Sequence, residues 1–187
     1  DIDRGRCKPE FEAGIIEDLI WFGEGLENWG WEEPVRRQSD HMEDYAAALS
    51  RLMEMGVLYP CFCTRGDIRA EIERAGQAPH VSKEAPVYPG LCRGIEGKAA
   101  ARRIADGEAH ALRLDVKQAC RIAGPLTWLE AEKGKVTVEA ELHGDVVLAR
   151  KDVRTSYHLS VTLDDHVQGV NLVTRGDDLF TATHIHR

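Results

Sequence analysis

The sequence predicts a single α/β domain. Amphipathic helical patterns dominate its first half, short β-type runs dominate its second half, and the chain ends in a strand–helix–strand–helix alternation. Such an alternation is typical of parallel α/β units. The length of 187 residues fits one domain, and a hydrophobic fraction of 43% is typical of a globular protein with a packed core.

Composition and charge argue against several classes of protein. The formal net charge is -8, whereas general nucleic-acid binders are usually basic. No apolar run approaches the ~18 residues of a transmembrane helix, and the first residues are charged rather than apolar. We therefore expect no membrane association and a cytoplasmic protein with reduced thiols. The chain lacks an initiator Met and closes on an apolar-periodic stretch, so we expect a fragment of a longer protein.

Capping residues and apolar spacing define the helices. The predicted helices are residues 9–22, 40–55, 67–75 and 97–107. Pro9 suits the first position of a helix, Ser39 and Thr64 are expected to be N-caps, and Gly56 is placed to end the second helix. The apolar residues of the first helix form one stripe at helical spacing: Phe11, Ile15, Ile16, Leu19 and Ile20.

Short runs of β-type residues, separated by turn residues, define the strands. The predicted extended segments are residues 57–63, 110–116, 126–131, 136–140, 145–150, 156–162 and 171–174. Between the last two, residues 164–169 predict one helical turn. Arg175 and Gly176 then turn the chain into a final helix that begins at Asp177.

Three cysteines and a tyrosine are the best candidates for a metal site. Cys61 and Cys63 form a C-x-C pair that is too short for a relaxed disulfide. Residues 77–94 form a long loop rich in Pro and Gly, which a metal clip would explain. Zinc prefers four tetrahedral ligands and binds thiolates well. The candidate ligands are Cys61, Cys63, Tyr88 and Cys92, with His80 as the conventional alternative to the tyrosine.

The cysteines also have a simpler interpretation. Cys61 and Cys63 are equally compatible with strand residues that pack in the core without a metal, and spacing alone leaves both interpretations open. Cys7 and Cys120 stand alone in the sequence. We expect these two to be small buried apolar residues.

A substrate pocket is predicted where a strand gives way to a helix near residue 175. Ligands of open α/β sheets bind at the carboxyl ends of strands. Arg175 at such a position is able to grip a carboxylate with its planar guanidinium, and Tyr157, on a preceding strand, would line the same pocket. The alternative is an ion pair between Arg175 and Asp177 or Asp178, which the sequence favours equally.

The order of several motifs resembles that of the bacterial glutamyl-Q tRNA(Asp) synthetases. The motifs are D-I-D-x-x-R at residues 1–6, V-R-R-Q-S at 35–39, Y-P-C-F-C at 59–63, Y-P-G-x-C at 88–92, D-V-V-L-A-R-K-D at 145–152, S-Y-H-L at 156–159 and T-R-G-D-D-L at 174–179. They extend over nearly the whole chain, and their ordered combination is specific.

The resemblance implies a fold and a division of the chain. The fold is the Rossmann-type catalytic core of a class I aminoacyl-tRNA synthetase, here partial, with a zinc-containing α+β insert. Residues 1–60 would form the first part of the core, residues 61–135 the zinc-binding, acceptor-type insert, and residues 136–187 the return to the core.

The resemblance also implies an activity, a ligase reaction. Enzymes of this family activate L-glutamate with ATP, together with Mg2+, and transfer it to the queuosine base in the anticodon loop of tRNA(Asp). Zn2+ would be held by the three cysteines and Tyr88, and Tyr157 and Arg175 match the positions that hold glutamate. We expect a monomer.

The family's HIGH-type motif and KMSKS-type loop, which carry the ATP chemistry, do not occur in this sequence. We therefore expect the chain by itself to be inactive in adenylate formation. Two other functions remain open: the catalytic fragment of an ordinary glutamyl-tRNA synthetase, and a non-catalytic, zinc-stabilised RNA-binding module. Against the module stand the net charge and the low number of Phe residues, four in all.

Overall fold

A computed structural model describes residues 1–2, 5–27, 29–68 and 87–187, which form two compact units, Asp1–Glu43 and Asp44–Arg187. The helices are α1 (Pro9–Phe22), α2 (Met42–Glu54), α3 (Gly97–Ala105), α4 (Val116–Ala123), α5 (Tyr157–Val167) and α6 (Ala182–His186). The strands are β1 (Leu58–Cys61), β2 (Ala111–Leu114), β3 (Thr127–Glu130), β4 (Gly134–Thr137) and β5 (Val147–Ala149). Short 3-10 helices cover Gln38–Asp40, Ala140–His143 and Asp177–Leu179.

The first unit contains α1, which has the predicted bounds. Pro9 occupies the start of the helix, and the acidic Glu10 and Glu12 lie in its first turn, where they complement the helix dipole. The predicted apolar stripe is largely exposed: Phe11 is 54% and Ile15 59% accessible, and no residue of the helix is buried. The signals that fix the start of this helix are therefore local, whereas its apolar stripe stays largely exposed.

Helix α2 confirms the second predicted helix, with one correction at its start. Gly56 has φ +71° and donates its N–H to the carbonyl of Met53 at 2.9 Å, which ends the helix as predicted. Ser39 is not the N-cap. It lies in a 3-10 turn, where its backbone N–H donates to the Asp1 carboxylate at 3.0 Å and its hydroxyl contacts the same group.

The main sheet is antiparallel, with strand order β1–β2–β5. Leu58 pairs with Leu114 and Cys61 with Ala111, so the cysteine end of β1 lies beside the start of β2. Strands β3 and β4 form a separate two-stranded hairpin. Helix α4 was not predicted: its signal is Asp115, whose carboxylate accepts the N–H of Gln118 at 2.9 Å and caps the helix.

The predicted strand over residues 156–162 is wrong. Ser156 accepts the N–H of Leu159 and caps α5, and the helix buries Leu159, Ser160 and Asp164. Two of those three are polar, so apolar periodicity did not reveal the buried face. Asp164 accepts the hydroxyl of the fully buried Tyr45 at 2.9 Å, a tertiary contact that gives this face its role.

The last part of the chain also differs from the expected alternation. The predicted strand over residues 171–174 is wrong, because these residues have no regular secondary structure and pair with no strand of the described ranges. All strand pairs described there are antiparallel. A strand requires a neighbour for its backbone N–H and C=O groups, which β-type composition does not supply. The predicted final helix is present as the 3-10 turn Asp177–Leu179 followed by α6.

Thr64 is the N-cap predicted for the next helix. Its hydroxyl accepts the N–H of Asp67 at 3.1 Å, and Asp67 accepts the N–H of Thr64 at 2.7 Å. Residues 65–68 are helical, and the remainder of the predicted helix, with most of the 77–94 loop and His80, lies outside the described residues. Within the described parts of the chain, no helix is both long and apolar enough to cross a bilayer.

Candidate functional site

Three thiols converge at the end of β1. Cys61 is the last residue of that strand, Cys63 follows two residues later, and Cys92 lies in the turn before α3. Their sulfur atoms all lie within 4.8 Å of one another, and the Sγ atoms of Cys63 and Cys92 are 3.4 Å apart. Cys61 and Cys92 are buried in the core that packs against α3 and β2. The cysteines therefore pack in the core, as one interpretation of the sequence expects, and also cluster closely enough to share a metal ion, as the other expects.

Tyr88 adds a fourth donor to this cluster. Its hydroxyl lies 3.4 Å from Cys61 Sγ and 3.6 Å from Cys63 Sγ, and it accepts the backbone N–H of Cys92 at 3.0 Å. The side chain is buried. Three thiols and a phenol drawn from two turns form a donor set that fits a tetrahedral divalent ion such as zinc.

Burial shifts the pKa values of these groups. It raises the pKa of Cys63 to about 11 and that of Tyr88 above its ordinary value. Burial also acts to raise the pKa of Cys61, but its contacts with Tyr88 and Arg113 outweigh this and hold the pKa below the ordinary value. Without a metal the cluster thus contains bound protons, which an incoming ion has to displace.

Asp145 anchors the residues around the cluster. Its buried carboxylate accepts from Arg93 Nε at 2.8 Å and Nη2 at 2.6 Å, from the backbone N–H of Val116 at 3.1 Å, and from the Tyr59 hydroxyl. Its backbone carbonyl accepts from Arg113 Nη1 at 2.9 Å. One residue thereby fixes partners on β1, on β2, at the start of α4 and in the turn that carries Cys92.

A second group of polar residues surrounds His186 of α6. The Arg175 Nη1 atom lies 2.6 Å from His186 Nδ1 and 3.3 Å from the Thr183 hydroxyl oxygen. The ring of Tyr157 lies 5.5 Å from the ring of His186, centroid to centroid. Tyr157 is the first residue of α5 rather than part of a strand, and it is 41% exposed. The structure therefore brings Tyr157 and Arg175 against the same side chain.

A chain of hydrogen bonds defines the state of the two histidines. Because Arg175 only donates, His186 Nδ1 accepts, and its Nε2 carries the proton. This Nε2–H donates to His158 Nδ1 at 2.9 Å. Burial, followed by the charge of Arg175, lowers the pKa of His186 to about 4 and lowers that of His158. Both rings are neutral at pH 7, so neither histidine adds a charge beside the guanidinium.

Arg175 has no ion-pair partner among the described residues. Its contacts are with Thr183 and His186, and neither Asp177 nor Asp178 pairs with it. The predicted alternative of a local ion pair is therefore wrong for this structure. A half-buried guanidinium without a carboxylate partner is suited to binding a carboxylate from solution.

Some residues of these sites were not singled out from the sequence. His158 follows Tyr157 in the chain, so its position next to a predicted site residue could have pointed to it. Nothing in the sequence pointed to His186 or Arg113, since each joins its site only through tertiary packing. Of the two isolated cysteines, Cys7 is exposed, contrary to expectation, and Cys120 is partly buried.

Comparison with known proteins places the chain in a family. Residues 1–187 match the family model described as tRNA synthetases class I (E and Q), catalytic domain. A protein named glutamyl-Q tRNA(Asp) synthetase from Rhodobacter capsulatus is 41% identical over 193 residues, covering 100% of this chain and 66% of that protein. Another of that name, from Nocardia farcinica, is 39% identical, covering 97% and 52%. The chain spans about half to two thirds of the length of these relatives.

Two further likenesses bear on the fold and on the branch of the family. A protein named glutamate--tRNA ligase 2 from Syntrophus aciditrophicus is 32% identical over 189 residues, covering 99% of this chain and 37% of that protein. The crystal structure of a glutamate tRNA ligase from Elizabethkingia meningosepticum, in complex with its amino acid, superposes with a TM-score of 0.73 at 23% identity, covering 100% of this chain and 38% of that one. This likeness shows a shared α/β fold.

Proposed function

We infer the function from one premise: the chain belongs to the class I glutamyl and glutaminyl tRNA synthetases, whose catalytic-domain model it matches throughout. We propose that the protein activates L-glutamate with ATP and Mg2+ and transfers the glutamyl group to queuosine in the anticodon loop of tRNA(Asp). In this proposal the protein is a cytoplasmic monomer and this chain is the greater part of its catalytic core.

The observation that carries the proposal is that Arg175 forms no ion pair among the described residues. Burial raises the pKa of the nearby Asp165, although the charge of Arg175 acts to lower it. The Nη1 atom of Arg175 has only neutral partners, Thr183 and His186, so a bound carboxylate would complete a charge-assisted pair. Tyr157 beside His186 adds a ring and a hydroxyl at a partly exposed position. In this proposal the side-chain carboxylate of glutamate faces Arg175, and in the same orientation the amide side chain of glutamine leaves the guanidinium without a counter-charge.

Two observations favour queuosine over the 3′ end of tRNA(Glu) as the acceptor. The relatives named glutamyl-Q tRNA(Asp) synthetase reach 41% identity over the whole chain. The sequence Ser156-Tyr157-His158-Leu159 also departs from the P-T-Y-N-F-A pattern that we expect at this place in ordinary glutamyl-tRNA synthetases. The ordinary synthetase remains the second candidate, because relatives named glutamate--tRNA ligase 2 are 32% and 36% identical.

The zinc site belongs to the same proposal. Cys61, Cys63, Cys92 and Tyr88 would hold Zn2+, which would tie β1 to the turn before α3. Residues 61–135 would form the zinc-containing insert between two parts of the core, 1–60 and 136–187. The metal supplies binding energy to the fold rather than chemistry to the reaction.

Calorimetry on the chain itself tests the amino acid pocket. We expect L-glutamate to bind in preference to L-glutamine, and Arg175→Met to weaken glutamate binding at least ~30-fold, since a charged pair loses one partner. The matched control is Arg103→Met, whose guanidinium already has Glu108 as its carboxylate partner and which should leave binding unchanged. Equal binding of the two amino acids, or none, contradicts the assignment of this pocket.

Transfer of labelled glutamate by the full-length gene product tests the acceptor. We expect labelling of queuosine-containing tRNA(Asp), and none of queuosine-free tRNA(Asp) or of tRNA(Glu). Labelling of tRNA(Glu) instead would establish the ordinary synthetase.

A further inference from the structure

Arg113 brings an unbalanced positive charge to the thiol cluster. It lies on β2, and its Cζ atom is 3.8 Å from the centre of the Tyr88 ring. Its Nη1 donates to the backbone carbonyl of Asp145, a neutral group, at 2.9 Å. Among the residues that the structure describes, no carboxylate forms an ion pair with it.

The nearest buried carboxylate is already in use. Asp145 accepts two hydrogen bonds from Arg93 and others from Tyr59 and the backbone of Val116, so its negative charge is matched by Arg93. Arg113 reaches only the carbonyl of this residue. Its Nε atom is enclosed and has no hydrogen-bond partner. Enclosing a charge and a donor in this way is costly unless a neighbouring group carries the opposite charge.

The cluster gains that charge when it binds a divalent ion. Three thiols that bind zinc release three protons to solvent, and the ion with its three thiolates then carries one net negative charge. The phenol of Tyr88 is the fourth donor, and its ring lies directly against the guanidinium. A guanidinium over the face of the Tyr88 ring is attracted to the ring, and there it is close enough to stabilise the three thiolates with their bound ion.

We propose that Arg113 is a positioning residue of the zinc site. Its guanidinium balances the charge of the loaded cluster and holds the Tyr88 ring so that the hydroxyl is directed at the ion. This inference rests on the zinc site of the proposed function and adds to it a residue that binds no metal. The hydrogen bond to the Asp145 carbonyl holds the guanidinium in place. The carboxylate of the same residue already accepts from Arg93, Tyr59 and Val116 and does not bond to Arg113.

A second arginine near the cluster provides an internal control. Arg103 also stacks on an aromatic ring, with Cζ 3.9 Å from the centre of Phe62. Unlike Arg113, it donates to both carboxylate oxygens of Glu108. Its charge is therefore already balanced without a metal. Replacing either arginine by Met removes a stacking contact, but only Arg113→Met removes a counter-charge from the thiol cluster.

Zinc release from the purified chain tests the proposal. The wild type should contain about one zinc per chain, measured by elemental analysis, and lose it slowly to an excess of chelator. Arg113→Met should release zinc ~10-fold to 100-fold faster, the usual effect of removing a group that supports metal ligands. Arg103→Met should stay within about twofold of the wild type, and Arg113→Lys, which retains the charge, should fall between the two.

Cobalt substitution supplies a readout that a purely structural role would not change. In the Co2+-loaded chain, Arg113→Met should alter the visible spectrum in the same direction as Tyr88→Phe, since Tyr88→Phe removes the hydroxyl and Arg113→Met removes the group that orients it. If Arg113→Met does not fold, Arg113→Lys is compared with Arg113→Gln, and the lysine variant should retain zinc longer.

Three outcomes would overturn the inference. A folded Arg113→Met variant with the release rate and spectrum of the wild type refutes it while leaving the zinc site intact. Equal release from the lysine and glutamine variants does the same. A wild-type chain that takes up neither Zn2+ nor Co2+ refutes the zinc site of the proposed function as well as this inference, while the glutamate pocket is tested separately by calorimetry.

Discussion

Arg113 and Arg175 are both arginines without a carboxylate partner among the described residues, yet their surroundings differ. Arg113 lies over a buried tyrosine ring beside three thiols, and its Nε atom is enclosed. Arg175 contacts a threonine hydroxyl and a neutral imidazole, near a tyrosine that is 41% exposed.

The difference indicates where each counter-charge comes from. In the proposed zinc site the fold itself would supply the opposite charge beside Arg113, because the cysteines would become anionic on holding the metal. Beside Arg175 the neutral histidines supply none and Asp165 forms no ion pair with it, so in our proposal the carboxylate partner arrives with a ligand. In these proposals the same type of side chain supports a structural metal site in one region and a substrate-binding site in the other. Four substitutions test this comparison.

Loss of a zinc ligand should have the largest effect. We expect Cys92→Ser to lower the free energy of unfolding by more than about 4 kcal/mol and to abolish zinc binding, since the metal contributes directly to folding. Cys120→Ser is the control, because this cysteine lies outside the thiol cluster, and it should retain the zinc. Chemical denaturation with and without a chelator measures both. Equal stability of the two variants would contradict a metal-dependent fold.

Removal of the Asp145 charge should come next. Asp145→Asn leaves Arg93 without its carboxylate partner inside the core, which we expect to cost about 3–5 kcal/mol of unfolding free energy. Asp152→Asn breaks a pair with Arg150 at the surface, where solvent screens the charges, and should cost much less. Denaturant titration compares the two. A similar cost for both would show that Asp145 is not the anchor of the cluster.

The hydrogen-bonded chain from Arg175 through His186 to His158 should make the stability of the fold depend on pH. The pKa of His186, about 4, lies below the ordinary value of 6.5, so between these values the unfolded chain binds more protons and acidification destabilises the fold. We expect a loss of about 1–3 kcal/mol from pH 7 to pH 4, part of which His186→Gln removes. The exposed His166 serves as control: His166→Gln should leave the slope of the wild type. If the free energy of unfolding of His186→Gln depends on pH as steeply as that of the wild type, the neutral state assigned to His186 is refuted.

The smallest effect is expected at Tyr157. Tyr157→Phe keeps the ring against His186 and removes only the hydroxyl, so we expect glutamate to bind about 2-fold to 10-fold more weakly, the value of one hydrogen bond. Zinc content should not change, because this residue lies outside the thiol cluster. Calorimetry and elemental analysis on the same preparation make the comparison. Loss of zinc in this variant would link two sites that we treat as independent.

Local sequence by itself determined the elements with strong end signals. Pro9 set the start of α1, Gly56 set the end of α2, and Thr64 with Asp67 formed the predicted cap. The cysteine and tyrosine candidates were also identified from sequence, because their residue types define the chemistry wherever the fold places them. These features depend on a few neighbouring residues or on intrinsic ligand preference.

Tertiary structure decided what depends on distant partners. Residues 156–162 became a helix because a buried polar face meets Tyr45, and residues 171–174 have no described strand neighbour, although their composition is β-type. His186 and Arg113 joined their sites through contacts with residues 11 and 25 positions away, Arg175 and Tyr88. Charge balance is a property of three-dimensional surroundings, so only the structure revealed which arginines lack a partner.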